Sequence, residues 1–269
     1  MAIDINGNTI INTSIGPGGE TINHVVNSGM VLHLDASNKN SYSGSGSTWT
    51  DLSGNSNTAT MYGSVPFTTD VAQCFDFAST TGGSAGSASL GFTFGSNMFS
   101  NTGNFTISVW VKNPNSSAGQ VGLFSNAGGG DGYRFGVGTN GIYYLIGPSY
   151  QEGGLLFTST LNTTSWYNVS VVFNRSGASV LLYLNGVLQS SIGTPSQSAS
   201  QNGAPGIVRS PCCGIYTGKL SIVMGYNRAL SASELLQNYN AQKYRFGGAY
   251  YNCGYGCQYY TTAPGCTAC

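Results

Sequence analysis

An eight-residue stretch near the middle of the chain constrains the fold more than any other feature. Phe105, Ile107, Val109 and Val111 alternate with Thr106, Ser108, Trp110 and Lys112. A period of two belongs to a strand with one buried face, whereas a helix needs apolar residues three and four apart. Shorter strand signals recur at 30–34, 133–137, 142–146, 155–158, 167–173, 180–184 and 220–224. Asn185-Gly186 follows one of these and leads into Val187-Leu188. That pair marks a tight hairpin, because both residues accept the positive φ angles of a type I′ turn. One helix stands apart. Ser231-Ala232-Ser233-Glu234 fits a capping box, sets Leu235, Leu236 and Tyr239 on one face, and predicts an end near Gly247-Gly248. Many short strands punctuated by Gly and Asn, with one late helix, predict an all-β fold. The expected form is a two-sheet antiparallel jelly-roll sandwich with one short C-terminal helix.

Three segments follow from this pattern. Residues 1–28 read as an extended N-terminal arm, in which Ile3 and Ile5 alternate before Gly16-Pro17-Gly18-Gly19. Residues 29–247 form the sandwich, and residues 248–269 a tail rich in Cys and Tyr. Between Ala36 and Gly63 the chain is polar and turn-rich, so it is expected to form loops carrying Tyr42, Trp49 and Tyr62.

Charge narrows the function classes. Only 7% of the 269 residues are charged, with nine basic and nine acidic side chains, against about 25% in an ordinary soluble domain. So few cations remove the electrostatic basis for binding a phosphate backbone, and a nucleic-acid partner is not expected. No apolar run approaches the roughly 20 residues that span a bilayer, so no membrane partner is expected. The first residues lack a basic start followed by an apolar stretch, so no Sec-type signal is visible. An exterior solvated by neutral amides and hydroxyls gives up charge repulsion as a defence against association. It suits a protein outside the cell or one packed against neighbours.

Seven cysteines are spread unevenly: Cys74, the pair Cys212 and Cys213, and the series Cys253, Cys257, Cys266 and Cys269. The last four form two disulfides that staple a segment too short to build a core, hold a tetrahedral zinc, or stay unpaired, with disulfides the leading reading. The odd total leaves a free thiol or an intermolecular bridge. Cys74, inside Cys74-Phe75-Asp76-Phe77, is most simply buried.

Four blocks carry a family resemblance. They are Gly29–Ala36 (GMVLHLDA) with Trp49–Asn55 (WTDLSGN); Phe105–Lys112 (FTISVWVK); Trp166-Tyr167-Asn168-Val169 with Leu182–Gly186 (LYLNG); and Gly225–Ser231 (GYNRALS) with Glu234, Gln237–Ala241 and Arg245-Phe246-Gly247. Over residues 29–247 the chain resembles the concanavalin A-like, laminin-G-like jelly rolls of the type found in bacteriophage structural proteins. The resemblance implies the sandwich fold. That fold hosts lectins, adhesion modules, calcium-dependent recognition domains, glycanases and viral coat components, so function must be argued from the site.

Acid-pair catalysis finds little support in the residues. Glycanases need two carboxylates flanking the scissile bond. The only glutamates are Glu20, Glu152 and Glu234, none with an acidic residue two or four positions away, and Glu234 is accounted for as a helix cap. Gly82-Gly83-Ser84-Ala85-Gly86 matches a nucleophile-elbow pattern but lies in Gly/Ser-rich sequence with no helix after it. His24 and His33 are the sole histidine bases. No enzyme is expected.

Binding is the better prospect. Asp131, in Gly128-Gly129-Gly130-Asp131-Gly132, is the candidate calcium ligand, with an Asp that bonds its own turn as the plainer reading. Asp51 fits either a metal loop or a turn, and Asp35 an anchor for the loop after its strand. Tyr42, Trp49, Tyr133 and Tyr150 lie in or beside expected loops and are the candidate sugar-stacking residues. Trp110 and Trp166 occupy strand positions suited to the core. The sequons at Asn104, Asn162 and Asn168 fall in or beside expected strands, which argues against glycosylation. The combined expectation is a non-enzymatic bacteriophage virion protein displayed on the particle surface, as a capsid decoration or fibre subunit, contacting host glycans. It would be outside the cell after lysis and present in repeated copies or as a homo-oligomer. Its arm would dock on other virion proteins by adding to a neighbour's sheet edge. The alternative is a carbohydrate-binding adhesin.

Overall fold

The computed structural model describes residues 24–68, 72–77, 90–99, 103–112, 120–126, 132–138, 141–146, 152–157, 161–193, 205–208 and 216–247. In chain order the strands are β1 (Met30–Asp35), β2 (Thr48–Trp49), β3 (Ala59–Tyr62), β4 (Phe67–Thr68), β5 (Cys74–Asp76), β6 (Gly91–Phe94), β7 (Phe105–Lys112) and β8 (Gln120–Ser125). They continue as β9 (Tyr133–Gly138), β10 (Gly141–Ile146), β11 (Glu152–Phe157), β12 (Trp166–Asn174), β13 (Ser179–Leu184), β14 (Val187–Gly193), β15 (Gly206–Ile207) and β16 (Lys219–Tyr226). Helix α1 (Ala232–Gln242) runs into a 3₁₀ turn over Lys243–Phe246.

Every pairing among these strands is antiparallel, and they form two sheets. The first has the order β14-β13-β12-β7-β16-β5-β4, with β1 also on β16; the second runs β11-β10-β9-β8-β15-β6-β3-β2. The architecture is the expected all-β sandwich with one short C-terminal helix. The expected strands all form. The polar segment 36–63 departs from expectation, because β2 and β3 lie within it and pair with each other. Its few apolar residues explain this: Trp49 and Ala59 are fully buried, directly opposite one another.

Between the sheets lies one continuous core. From β7 it takes Phe105, Ile107, Val109 and Val111, and from the facing sheet Phe92, Phe124, Phe135 and Ile142. Two aromatic clusters dominate it. Phe75 has Tyr42, Trp49, Phe67 and Phe92 around it, at ring separations of 4.7–5.5 Å. Phe105 contacts Phe99, Tyr133 and Phe173 at 4.3–5.1 Å.

The alternating strand β7 is not half-exposed as its period implies; every residue except Lys112 is buried. Its polar face lies under the C-terminal helix, where a second core gathers Trp110, Val172, Tyr183, Ile222, Met224, Tyr226, Leu235 and Phe246. Trp110 stacks on Phe246 at 3.9 Å and donates its indole N–H to Gln242 Oε1 at 2.7 Å. Ser108, Asn168 and Ser170 bond one another on the same face, so these buried polar groups find partners within the layer.

Ser231 and Glu234 form the capping box, an arrangement worth about 1 kcal/mol. The turn after α1 closes at Gly247, whose φ is +86°, where the left-handed conformation favours glycine. The expected apolar face is only partly right. Leu235 is buried, together with Asn238 and Gln242, while Leu236 is exposed. The underlying sheet presents Trp110 and Tyr226, whose polar tips bond Gln242 and Asn238. Residues 24–28, assigned to the arm, are seated here: Val26 is buried in the second core, and its N–H donates to Asn238 Oδ1 at 2.8 Å. The tail 248–269 and residues 1–23 lie outside the described residues.

Candidate binding surface

Three of the four sugar-stacking candidates are core residues. Tyr42, Trp49 and Tyr133 are 3%, 0% and 0% exposed. Tyr42 rests on Phe67 and Phe75 and turns its hydroxyl to the Gly46 carbonyl, at 3.0 Å. Trp49 fits between Phe75 and Phe92. Tyr133 opens β9 with its ring against Phe105 and Phe124, and complete burial pushes its phenol pKa far up. In each case an aromatic flanked by polar residues is an anchor that ties a loop to the core. Its face is therefore not open to a sugar. Tyr150, Asp131 and the tail thiols Cys253, Cys257, Cys266 and Cys269 lie outside the described residues, as does the Gly82–Gly86 stretch. Cys74 is buried, its sulfur 3.7 Å from the Thr68 hydroxyl.

The carboxylates whose side chains are described are committed to structure. Asp51 accepts the backbone N–H groups of His33, Ser53 and Asn57 at 2.8–2.9 Å, and the Ser53 hydroxyl at 2.7 Å. It organises its own loop, the turn reading of the two considered. Asp35 takes a bidentate pair from Arg245 at 2.6 and 2.8 Å and the Ser37 N–H at 2.9 Å. Burial works to raise its pKa, but these donors outweigh it and hold the carboxyl below the usual range. Asp76 pairs with Lys219 at 3.4 Å. Glu234 takes both Arg228 nitrogens at 2.6 and 2.9 Å besides capping the helix, and the Arg228 bonds draw its pKa down to about 2. His33 sits beside Asp35 and Asp51; desolvation lowers its pKa, with the two carboxylates partly opposing. Among the described residues no three His, Cys, Asp or Glu side chains are grouped to hold a metal.

The exposed apolar surface lies elsewhere. Val187, Leu188 and Leu236 are 57%, 50% and 43% exposed, the large apolar side chains among the described residues that stand in solvent. The β13–β14 hairpin brings them together. Asn185 and Gly186 have φ of +52° and +77°, as a type I′ turn requires. Asn185 is fixed by exchanging bonds with Asn168, N–H to side-chain oxygen at 2.9 Å and N–H to carbonyl at 2.8 Å. The turn rests directly on α1. A Cβ at Gly186 would fall 2.9 Å from the Leu236 Cα, so only glycine permits this approach. Two adjacent pairs in the sequence, Val187-Leu188 and Leu235-Leu236, carried the signal for this patch. Consecutive strand residues point to opposite faces, and consecutive helix residues are turned by roughly 100°, so adjacent apolar residues need burial on more than one side.

Arg134 and Tyr143 were also missed. They occupy positions on β9 and β10 that face away from the inter-sheet core, yet are 2% and 1% exposed. On that face Gly122 lies opposite Gly136, and Gly138 opposite Gly141.

Residues 83–236, more than half of the chain, match the family model described as the concanavalin A-like lectin/glucanases superfamily. The chain belongs to that superfamily. No curated protein matches it in sequence. Among solved structures, the superfamily member described here is similar to the binding domain of Paraclostridial Mosquitocidal Protein 1 (16% identity, TM-score 0.61, 79% of this chain and 52% of that one). It is also similar to the binding domain of botulinum neurotoxin DC in complex with SialylT (15%, TM-score 0.62, 81% and 52%). A third neighbour is the receptor binding domain of botulinum neurotoxin C/D mosaic serotype (15%, TM-score 0.60, 81% and 52%). At these identities the likeness shows a shared fold, and the chain spans about half the length of each neighbour. Among the described residues no helix is long and apolar enough to cross a membrane.

Proposed function

We propose that this chain is a non-enzymatic, lectin-like recognition domain, displayed on the exterior of a bacteriophage particle as a capsid decoration or fibre subunit and contacting host glycans. The engagement of Asp35, Asp51, Asp76 and Glu234 in structural contacts carries the reading. The superfamily contains both lectins and glucanases, and a glycanase must keep two carboxyl groups available across its cleft. That these four described acids are engaged by the sandwich's own loops and helix fits recognition instead. The SialylT complex of a structural neighbour supports a glycan as the class of ligand. With 7% charged residues, such a domain recognises sugar hydroxyls through neutral hydrogen bonds and apolar contact, so binding should depend little on salt. The virion setting rests on the phage-type sequence blocks: repeated copies, held by other virion proteins, would present the sandwich outside the cell after lysis. Asp131 is the proposed calcium ligand. The tail cysteines are proposed to form disulfides, with zinc as the competing staple.

A glycan array run on the whole chain, with and without chelator, tests this. Reproducible binding that leaves polysaccharide uncut is the expected result, with loss under chelator if calcium takes part. Silence across the array would overturn the glycan assignment, and release of reducing ends would overturn the non-enzymatic one. Detection of the chain in purified phage particles separates a virion protein from a free adhesin.

A further inference from the structure

Trp166, expected in the core from its strand position, is only half-buried. It opens β12 with its ring tilted on Phe246, the centroids 5.0 Å apart. The residues leading into it, Asn162, Thr163, Thr164 and Ser165, are all exposed, and bring amides and hydroxyls beside the first residue of the strand. That short loop is held in one shape. Asn162 Oδ1 accepts the N–H and the hydroxyl of Thr164, both at 2.7 Å, and the Asn162 N–H donates to the Tyr167 hydroxyl at 3.1 Å. A ligand therefore finds the loop already ordered, which lowers the entropy cost of binding.

The register sets Lys112 directly opposite Trp166, and Lys219 opposite Lys112 from the other side. Side chains so placed are about 5 Å apart at Cβ, where two like charges repel. Asp76, opposite Lys219 on β5, answers one of them at 3.4 Å. Lys112 is half-buried and has no ion-pair partner among the described residues. In a chain with only nine basic side chains, a cation held beside a like charge is a cost that a bound anion would relieve. We infer that Trp166 and Lys112 form a binding site for an acidic sugar: a pyranose that lays its C–H face on the indole and its carboxylate against the Lys112 ammonium. The indole supplies a flat apolar surface, the ammonium a charge-assisted hydrogen bond, and residues 162–165 neutral groups for the sugar hydroxyls. The inference rests on the glycan reading and names the site and the sugar class within it. A single ion pair adds only a shallow dependence on salt.

Glycan-array binding and titration of the full chain test it, with sialyllactose, a glucuronic acid oligosaccharide and uncharged lactose as the titrants, on wild type, Lys112→Gln and Trp166→Ala. An acidic sugar should bind at least tenfold more tightly than lactose, and which of the two does so distinguishes a sialic acid from a uronic acid. Lys112→Gln should abolish that preference with thermal unfolding unchanged. Trp166→Ala should weaken acidic-sugar binding at least tenfold, and Trp166→Phe, which keeps a ring against Phe246, should restore part of it. Equal acidic-sugar binding by wild type and Lys112→Gln would overturn the site and leave the glycan reading standing, as would binding confined to uncharged glycans. Failure of the wild-type chain to bind any glycan would overturn both.

Discussion

Segment 36–63 and the hairpin–helix contact at 184–188 and 236 have opposite appearances in sequence and in space. The first is rich in Ser, Asn and Gly with isolated aromatics, and looks like surface. Its aromatics Tyr42 and Trp49 are among the most buried side chains. The second is a run of apolar residues around a tight turn and looks like core. It holds the exposed Val187, Leu188 and Leu236. The lesson is one of supply and spacing. A lone aromatic in a polar segment is the only group able to tie that segment to the core, so it is drawn in. Consecutive apolar residues around a tight turn exceed what the buried faces accept there, and Val187, Leu188 and Leu236 are left in solvent.

The sharpest way to break this contrast is to truncate Trp49. It fills the space between Phe75 and Phe92 at 0% exposure, so Trp49→Ala should cost about 3–5 kcal/mol in urea unfolding. A loss under about 1 kcal/mol would return Trp49 to the surface-aromatic class and reopen its sugar-stacking role. Asp51→Ala comes next. Three backbone N–H groups converge on that carboxylate, and leaving them unpaired should cost about 2–3 kcal/mol. Asp51→Asn, which keeps an accepting oxygen, should recover part of it. If added calcium instead stabilised wild type but not Asp51→Asn, the metal-loop reading would replace the turn reading.

Much of the fold was legible because strand alternation, the Asn-Gly turn and the capping box are local signals. Segments β2, β3 and β6 were not, since two- to four-residue strands offer too few positions for a period to show. Nor was the burial of both faces of β7. Thr106 and Ser108 alternate with the apolar residues as a solvent face would, and only the return of a helix over one hundred residues later covers that side, where Trp110 also packs. The site was less legible still. An aromatic's burial depends on which strands bracket it, as Trp49 shows, and a carboxylate's availability on distant partners, as Arg245 shows for Asp35.

Within the hairpin–helix region, Gly186→Ala should cost about 1–2 kcal/mol. A side chain there is both strained at φ +77° and pressed onto the backbone of Leu236. Acid should then act on both regions through their ion pairs. Glu234 titrates near 4.5 when free and at about 2 in the fold, and Asp35 is likewise lowered from 3.8. A lowered carboxyl stabilises the fold above its free pKa and loses that contribution as pH falls through the folded one. Stability should therefore fall between about pH 4.5 and 2. Arg228→Met should remove the salt-sensitive part, because that pair is partly exposed. Arg245→Met should remove the salt-resistant part at the more buried Asp35. A flat profile across this window would mean that neither pair is formed in solution.

The smallest expected stability change is the one that best sharpens the contrast. Leu188→Ser removes a large side chain as apolar as many in the core, yet half of its surface already meets water, so unfolding should shift by no more than about 0.5 kcal/mol. What should change is association: the exposed apolar patch of Val187, Leu188 and Leu236 favours contact between copies, and serine at 188 should reduce light scattering at high concentration. If Leu188→Ser instead cost as much as a core truncation, the side chain would have to be covered in solution, and a penalty that varies with protein concentration would assign the cover to a second copy.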